Sequence, residues 1–120
     1  MVKILVVDDS PVMRKLVTRS IRQAGYTADV VEAEDGAHAL TVAEDERPHV
    51  ILADWNMPNM TGIEMLRALR ADGNRIPVGF VTSESTTEIR VTAQQAGASF
   101  FLSKPIDTTQ LEIALSSLGL

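Results

Sequence analysis

Five short apolar runs alternate with five segments whose apolar residues recur at helical spacing, and this alternation leaves a chain few ways to fold. The first run, Ile4 to Val7, is apolar without a break, as suits a strand buried on both faces. Ser10 and Pro11 then supply an N-cap and a first-turn proline, and Met13, Leu16, Val17 and Ile21 predict one face of a helix ending near Gly25. The unit recurs: Val30–Val31 precedes Ala37, Leu40 and Ala43, Val50 to Ala53 precedes Ile63, Leu66 and Leu69, and Val78 to Val81 precedes Ile89, Ala93 and Ala96. Phe100 to Leu102 and the stripe Leu111, Ala114, Leu115 and Leu118 complete the series. Five strands alternating with five helices predict an α/β doubly wound parallel sheet, because parallel neighbours need crossover connections and the crossovers cover both faces. With 120 residues, 45% of them hydrophobic, a single domain over 1–120 with one sizeable core is expected.

Composition removes several classes of function. There is no cysteine, so no disulfide framework, thiolate metal site or thiol nucleophile is available. The formal net charge of −5 opposes attraction to nucleic-acid phosphates and anionic lipids, so no direct nucleic-acid binding is expected. The opening MVKILVVDDS is too short in apolar residues for a secretory signal, and no later run approaches the ~20 apolar residues of a membrane span. A cytoplasmic protein without membrane insertion is the expectation.

In doubly wound sheets the functional residues gather at the carboxyl ends of the strands. Those ends carry Asp8 and Asp9 after the first strand, Asp54 after the third, Thr82 and Ser83 after the fourth, and Lys104 after the fifth. If the first and third strands are neighbours, three carboxylates converge and repel one another, and a bound cation resolves the conflict. All-oxygen donors suit a hard ion such as Mg²⁺, and neither His38 nor His49 is expected near these ends. A carboxylate can attack phosphorus while Mg²⁺ and a lysine neutralise the charge in transit, which suits Asp54, Asp9 and Lys104, with the Thr82 hydroxyl as a donor to a phosphoryl oxygen. Taken singly, each feature has a plainer explanation: an acidic pair as a strand-end turn or cap, Lys104 as a solvated loop charge, Thr82-Ser83 as a helix cap, Phe101 as core packing. Their joint occurrence on separate segments favours chemistry.

Asp8-Asp9, the run Asp54-Trp55-Asn56-Met57-Pro58, Thr82 and Lys104-Pro105 resemble the signature of bacterial response-regulator receivers, most of all the stand-alone chemotaxis type, CheY. The likeness extends over essentially the whole chain. It implies the flavodoxin-like, CheY-like strand order 2-1-3-4-5, which alternation alone does not give. It also implies Asp54 as phosphoacceptor, Asp9 as a direct Mg²⁺ ligand, Asp8 acting through water, the Asn56 backbone carbonyl as a further ligand, and Lys104 paired with the phosphoryl group. A cis Lys104-Pro105 bond, a switch pair of Thr82 and Phe101, and tuning of hydrolysis by Asn56 and Glu84 belong to the same pattern. The implied partners are a sensor histidine kinase as phosphodonor and a downstream protein such as a flagellar switch protein. The domain catalyses its own phosphorylation and dephosphorylation without being an enzyme in the usual sense. Phe101 stands where the chemotaxis type carries tyrosine, and Ser85-Thr86-Thr87 lacks the lysines often found there, which points to a different docking partner. Three alternatives stay open: a receiver cut from a longer regulator, a phosphate sink, and an aspartate-nucleophile phosphatase resembling the haloacid dehalogenases. The last expects a second acid two residues after the nucleophile, where this chain has Asn56.

Overall fold

The computed structural model describes residues 1–120. The chain runs β1 (Val2–Val7), α1 (Pro11–Gln23), β2 (Ala28–Ala33), α2 (Gly36–Glu46), β3 (Val50–Ala53), α3 (Gly62–Ala71), β4 (Val78–Thr82), α4 (Thr87–Gln95), β5 (Phe100–Ser103) and α5 (Thr108–Ser117). All strand pairs are parallel and the order is β2-β1-β3-β4-β5, the arrangement the resemblance implied.

Alternation along β1 separates two cores. Ile4 and Val6 face α1 and α5, packing with Val17, Ile21, Leu111 and Leu115. Leu5 and Val7 face the other way, onto Ala39 and Ala43 of α2, Met65, Leu66 and Leu69 of α3, and Ala93 of α4. The central strands β3 and β4 are buried along their whole length, which is why they read as unbroken apolar runs. Helix starts follow the local signals: Ser10 Oγ accepts the Met13 N–H at 3.2 Å with Pro11 opening α1, and Thr61 and Glu64 cap α3 reciprocally.

Two helix stripes differ from expectation. In α2 the inward residues are Gly36, Ala39, Leu40 and Ala43, while Ala37 is exposed. The phase is set by Gly36, whose N–H donates to the Met60 carbonyl at 3.1 Å and which must therefore face the protein. In α1 Leu16 is exposed, because Val17 and Ile21 take the centre of the buried face and Leu16 lies a fraction of a turn to its side.

Candidate functional site

Strand order brings the polar ends together. Because β1 lies between β2 and β3, with Val7 beside Ala53, the residues that follow them emerge side by side. The Asp54 N–H continues the ladder onto the Val7 carbonyl at 3.0 Å, and the Asp8 N–H continues it onto the Ala33 carbonyl at 3.1 Å. Asp8, Asp9 and Asp54 thus offer carboxylate oxygens that all lie within 4.8 Å of one another. On the opposite side, the Lys104 N–H donates to the Thr82 carbonyl at 2.9 Å, which extends the β4–β5 pairing by one residue.

From that position the Lys104 ammonium donates to Asp8 Oδ2 and to Asp54 Oδ2, both at 3.0 Å. Burial lowers the tendency of this ammonium to stay charged, yet the hydrogen bonds and charges of Asp8 and Asp54 outweigh it, and the net effect is a raised pKa. The other carboxylate oxygens are also engaged: the Ser10 N–H donates to Asp8 Oδ1 at 2.9 Å, and the Trp55 N–H to Asp54 Oδ1 at 2.7 Å. Asp9 is exposed at the mouth of the cluster, and the Lys104-Pro105 bond is cis.

Further residues surround the cluster. Thr82 is buried and its Oγ accepts the Glu84 N–H at 3.2 Å. Asn56 and Glu84, which the resemblance pairs by role, are also bonded to each other: Asn56 Nδ2 donates to the exposed Glu84 Oε1 at 2.8 Å. Phe101 is half-buried, 6.4 Å from the rings of both Trp55 and Phe80, with the Arg90 guanidinium 4.7 Å from its own ring centroid. Trp55 packs edge-on against Phe80 at 5.1 Å, so it serves the core as well as the rim. Neither His38 nor His49 joins the acidic cluster.

Several supporting residues had no signal in the sequence. Arg14, on α1, donates to the Asp8 carbonyl at 2.6 Å and to Glu32 Oε1 at 2.9 Å, tying the β1 exit to β2. Arg90 also donates to Ser103 Oγ at 3.0 Å. Gly62 lies against the site: a Cβ there would overlap the Asp54 carbonyl oxygen, so only glycine lets the chain turn back this closely behind Asp54. The donor set near the cluster is oxygen throughout, clustered at the end of two adjacent strands, and this fits a hard divalent cation such as Mg²⁺.

The fold and this acidic pocket define a receiver, and the response regulator receiver domain family matches residues 4–116; the chain belongs to that family. It is 39% identical over 112 residues to the chemotaxis protein CheY of Pseudomonas aeruginosa, covering 92% of this chain and 90% of that protein. The solved structure of the chemotaxis response regulator CheY4 of Vibrio cholerae superimposes with a TM-score of 0.84 at 36% identity, covering 98% of each chain. The probable transcriptional regulatory protein TcrX of Mycobacterium tuberculosis is 32% identical over 117 residues, and there the chain spans about half (49%) of its relative. The chain is therefore a CheY-like receiver domain of two-component signalling. No helix in it is long and apolar enough to cross a membrane.

Proposed function

We propose that the whole chain, residues 1–120, works as one receiver unit that takes a phosphoryl group onto Asp54 from the phosphohistidine of a sensor histidine kinase. In this step a bond forms between an Asp54 carboxylate oxygen and phosphorus, and the bond from phosphorus to the donor imidazole breaks, its electron pair staying on the nitrogen. The observation that carries the reading is the Lys104 ammonium shared at 3.0 Å between Asp8 and Asp54, with Asp9 in the same cluster.

Asp9 and Asp54, with the Asn56 backbone carbonyl and Asp8 through water, are the residues that would hold Mg²⁺. When bound, Mg²⁺ supplies charge neutralisation for the phosphoryl oxygens. Lys104 then leaves Asp54 for a phosphoryl oxygen, which gives it a charged partner of the same sign in both states. Thr82 can donate its hydroxyl to the phosphoryl group, since the Glu84 N–H occupies only an acceptor position on that oxygen. Drawing Thr82 toward the phosphate frees space for the Phe101 ring to turn inward, and this shift reaches the face built by α4, β5 and α5. The Asn56–Glu84 bond lies where a hydrolytic water must enter, so the two residues set how long the phosphate lasts.

The likeness to chemotaxis proteins supports a cytoplasmic role in motility signalling, with a flagellar switch protein as a candidate for the downstream partner. Incubation with acetyl phosphate or a phosphohistidine donor tests the reading: the wild-type chain should be labelled in the presence of Mg²⁺ and unlabelled with a chelator. Equal labelling under both conditions would refute the site.

A further inference from the structure

The β3–α3 loop, Trp55 to Thr61, carries Asn56 across the mouth of the pocket, and its far end is held by a carboxylate that the proposed reaction does not use. Asp35 is only 7% exposed. Its Oδ1 accepts the His38 N–H at 2.8 Å and so caps α2, while its Oδ2 accepts Asn59 Nδ2 at 2.8 Å. Capping needs one oxygen, and the second is committed to the loop. The His38 N–H, followed by the Asn59 amide, holds the Asp35 carboxyl below the usual carboxylate range. Gly36 repeats the attachment through the backbone: its N–H donates to the Met60 carbonyl, and a Cβ on it would stand 2.7 Å from that oxygen.

The segment gripped this way is one the backbone does not choose unaided. The Met60 N–H donates to the Pro58 carbonyl at 2.7 Å, closing a three-residue turn with Asn59 at its centre at φ +65°. Non-glycine residues rarely adopt such turns, and a conformation of this kind persists when its surroundings over-determine it. At its near end the loop is fastened by the Gly62 N–H on the Trp55 carbonyl at 3.0 Å, directly behind Asp54. Asn56 lies between the two fastenings.

We propose that Asp35, acting through Asn59, is a positioning residue for the phosphorylation site, setting the loop so that Asn56 keeps its side chain on Glu84 and presents its carbonyl to the cation. This inference rests on the function proposed above. The critical variant is Asn59→Gly, which removes the amide and still accommodates a positive φ. Mg²⁺ affinity of the unphosphorylated chain is read from the fluorescence of Trp55, which adjoins Asp54, and phosphoryl lifetime from the decay of acetyl-phosphate label. The Mg²⁺ Kd and the decay rate should each rise severalfold, less than the about tenfold that loss of a group bonded directly to a metal ligand costs, because Asn59 acts on Asn56 through the loop. Asn59→Asp sets a second carboxylate against Asp35 and should move both in the same direction. Asp107→Ala uncaps α5 away from the loop and controls for lost stability: it should lower Tm and leave both readouts in place. If the wild-type chain is labelled while both Asn59 variants keep its Kd and decay rate, this inference fails alone. A wild-type chain that neither binds Mg²⁺ nor takes label overturns the functional reading and this inference together.

Discussion

Two lysines at opposite ends of the sheet each bridge two carboxylates. At the amino end Lys3 Nζ lies 3.0 Å from Glu46 and 3.7 Å from Asp29; at the carboxyl end Lys104 Nζ lies 3.0 Å from both Asp8 and Asp54. The acids at the amino end have 52% and 43% of their side chains exposed, against 5% and 13% at the carboxyl end. Both ammonium groups are raised above their ordinary pKa, Lys3 by the Glu46 hydrogen bond and charge against some burial, Lys104 by Asp8 and Asp54 against more. The pairings look alike and differ in what their loss leaves behind. Without Lys3, its acids turn to water at little cost. Without Lys104, two sheltered carboxylates face each other beside Asp9, a state that demands another cation. The same chemistry is a surface contact at one end and, at the other, a cation that neutralises sheltered carboxylates.

The sharpest way to separate the ends is Asp54→Asn. It should abolish acetyl-phosphate labelling, a loss of at least about a hundredfold because the proposed nucleophile is gone, while circular dichroism shows an intact fold. Label retained on the variant would move the acceptor elsewhere and break the comparison. Next in size is Lys104→Met, which keeps the stem and removes the charge. The opposed carboxylates should cost about 2 kcal/mol in urea denaturation without Mg²⁺, less than for a fully buried pair because the pocket opens to solvent. Added Mg²⁺ should recover more stability in this variant than in wild type, and the phosphorylated variant should bind its partner little better than the unphosphorylated one. Equal Mg²⁺ stabilisation in both proteins would contradict the role given to Lys104.

The carboxyl end was the more legible of the two in the sequence. Unbroken apolar strands followed at once by Asp8-Asp9, Asp54, Thr82 and Lys104 declare themselves, because buried parallel strands leave polar residues no place but the strand ends. Strand order required the resemblance, since alternation does not say which strands pair. Helix phase is legible in α5, while in α1 Leu16 falls outside the buried face and in α2 the contact of Gly36 with Met60 sets the rotation and leaves Ala37 outside. The braces were hidden for a different reason. Asp35 to Asn59, Arg14 to the Asp8 carbonyl and Asn56 to Glu84 join residues that nothing in local spacing relates, and their bonds exist only once the crossovers have closed.

The amino end can be stressed without touching chemistry. Arg70 donates from Nη1 to the carbonyls of Asn74 and Ile76 at 3.0 and 2.9 Å, and from Nη2 to that of Gly97 at 3.1 Å, clasping the turns that lead into β4 and β5. It has no acid partner, and burial lowers its pKa from the usual arginine value, followed by repulsion from Arg75. Arg70→Met should therefore lower stability by about 1 kcal/mol in urea while label uptake and decay stay at wild-type values. A slower or shorter-lived label in this variant would show that the two ends are coupled through the strands.

The smallest effect concerns Lys3 and depends on pH in a defined sense. Its folded pKa lies above the unfolded 10.5, so its contribution is present in full below that value and is lost as pH rises through the raised one. Lys3→Met lacks this loss. Urea midpoints of wild type and variant should therefore differ at about pH 9 and draw together by about pH 12, with Lys104 titrating alike in both proteins and cancelling from the difference. Because the acids around Lys3 are exposed, about 0.5 M salt should shrink the gap at pH 9 as well. A gap that persists unchanged at both pH values and in salt would mean that Lys3 acts through its apolar stem and that charge at the amino end contributes nothing.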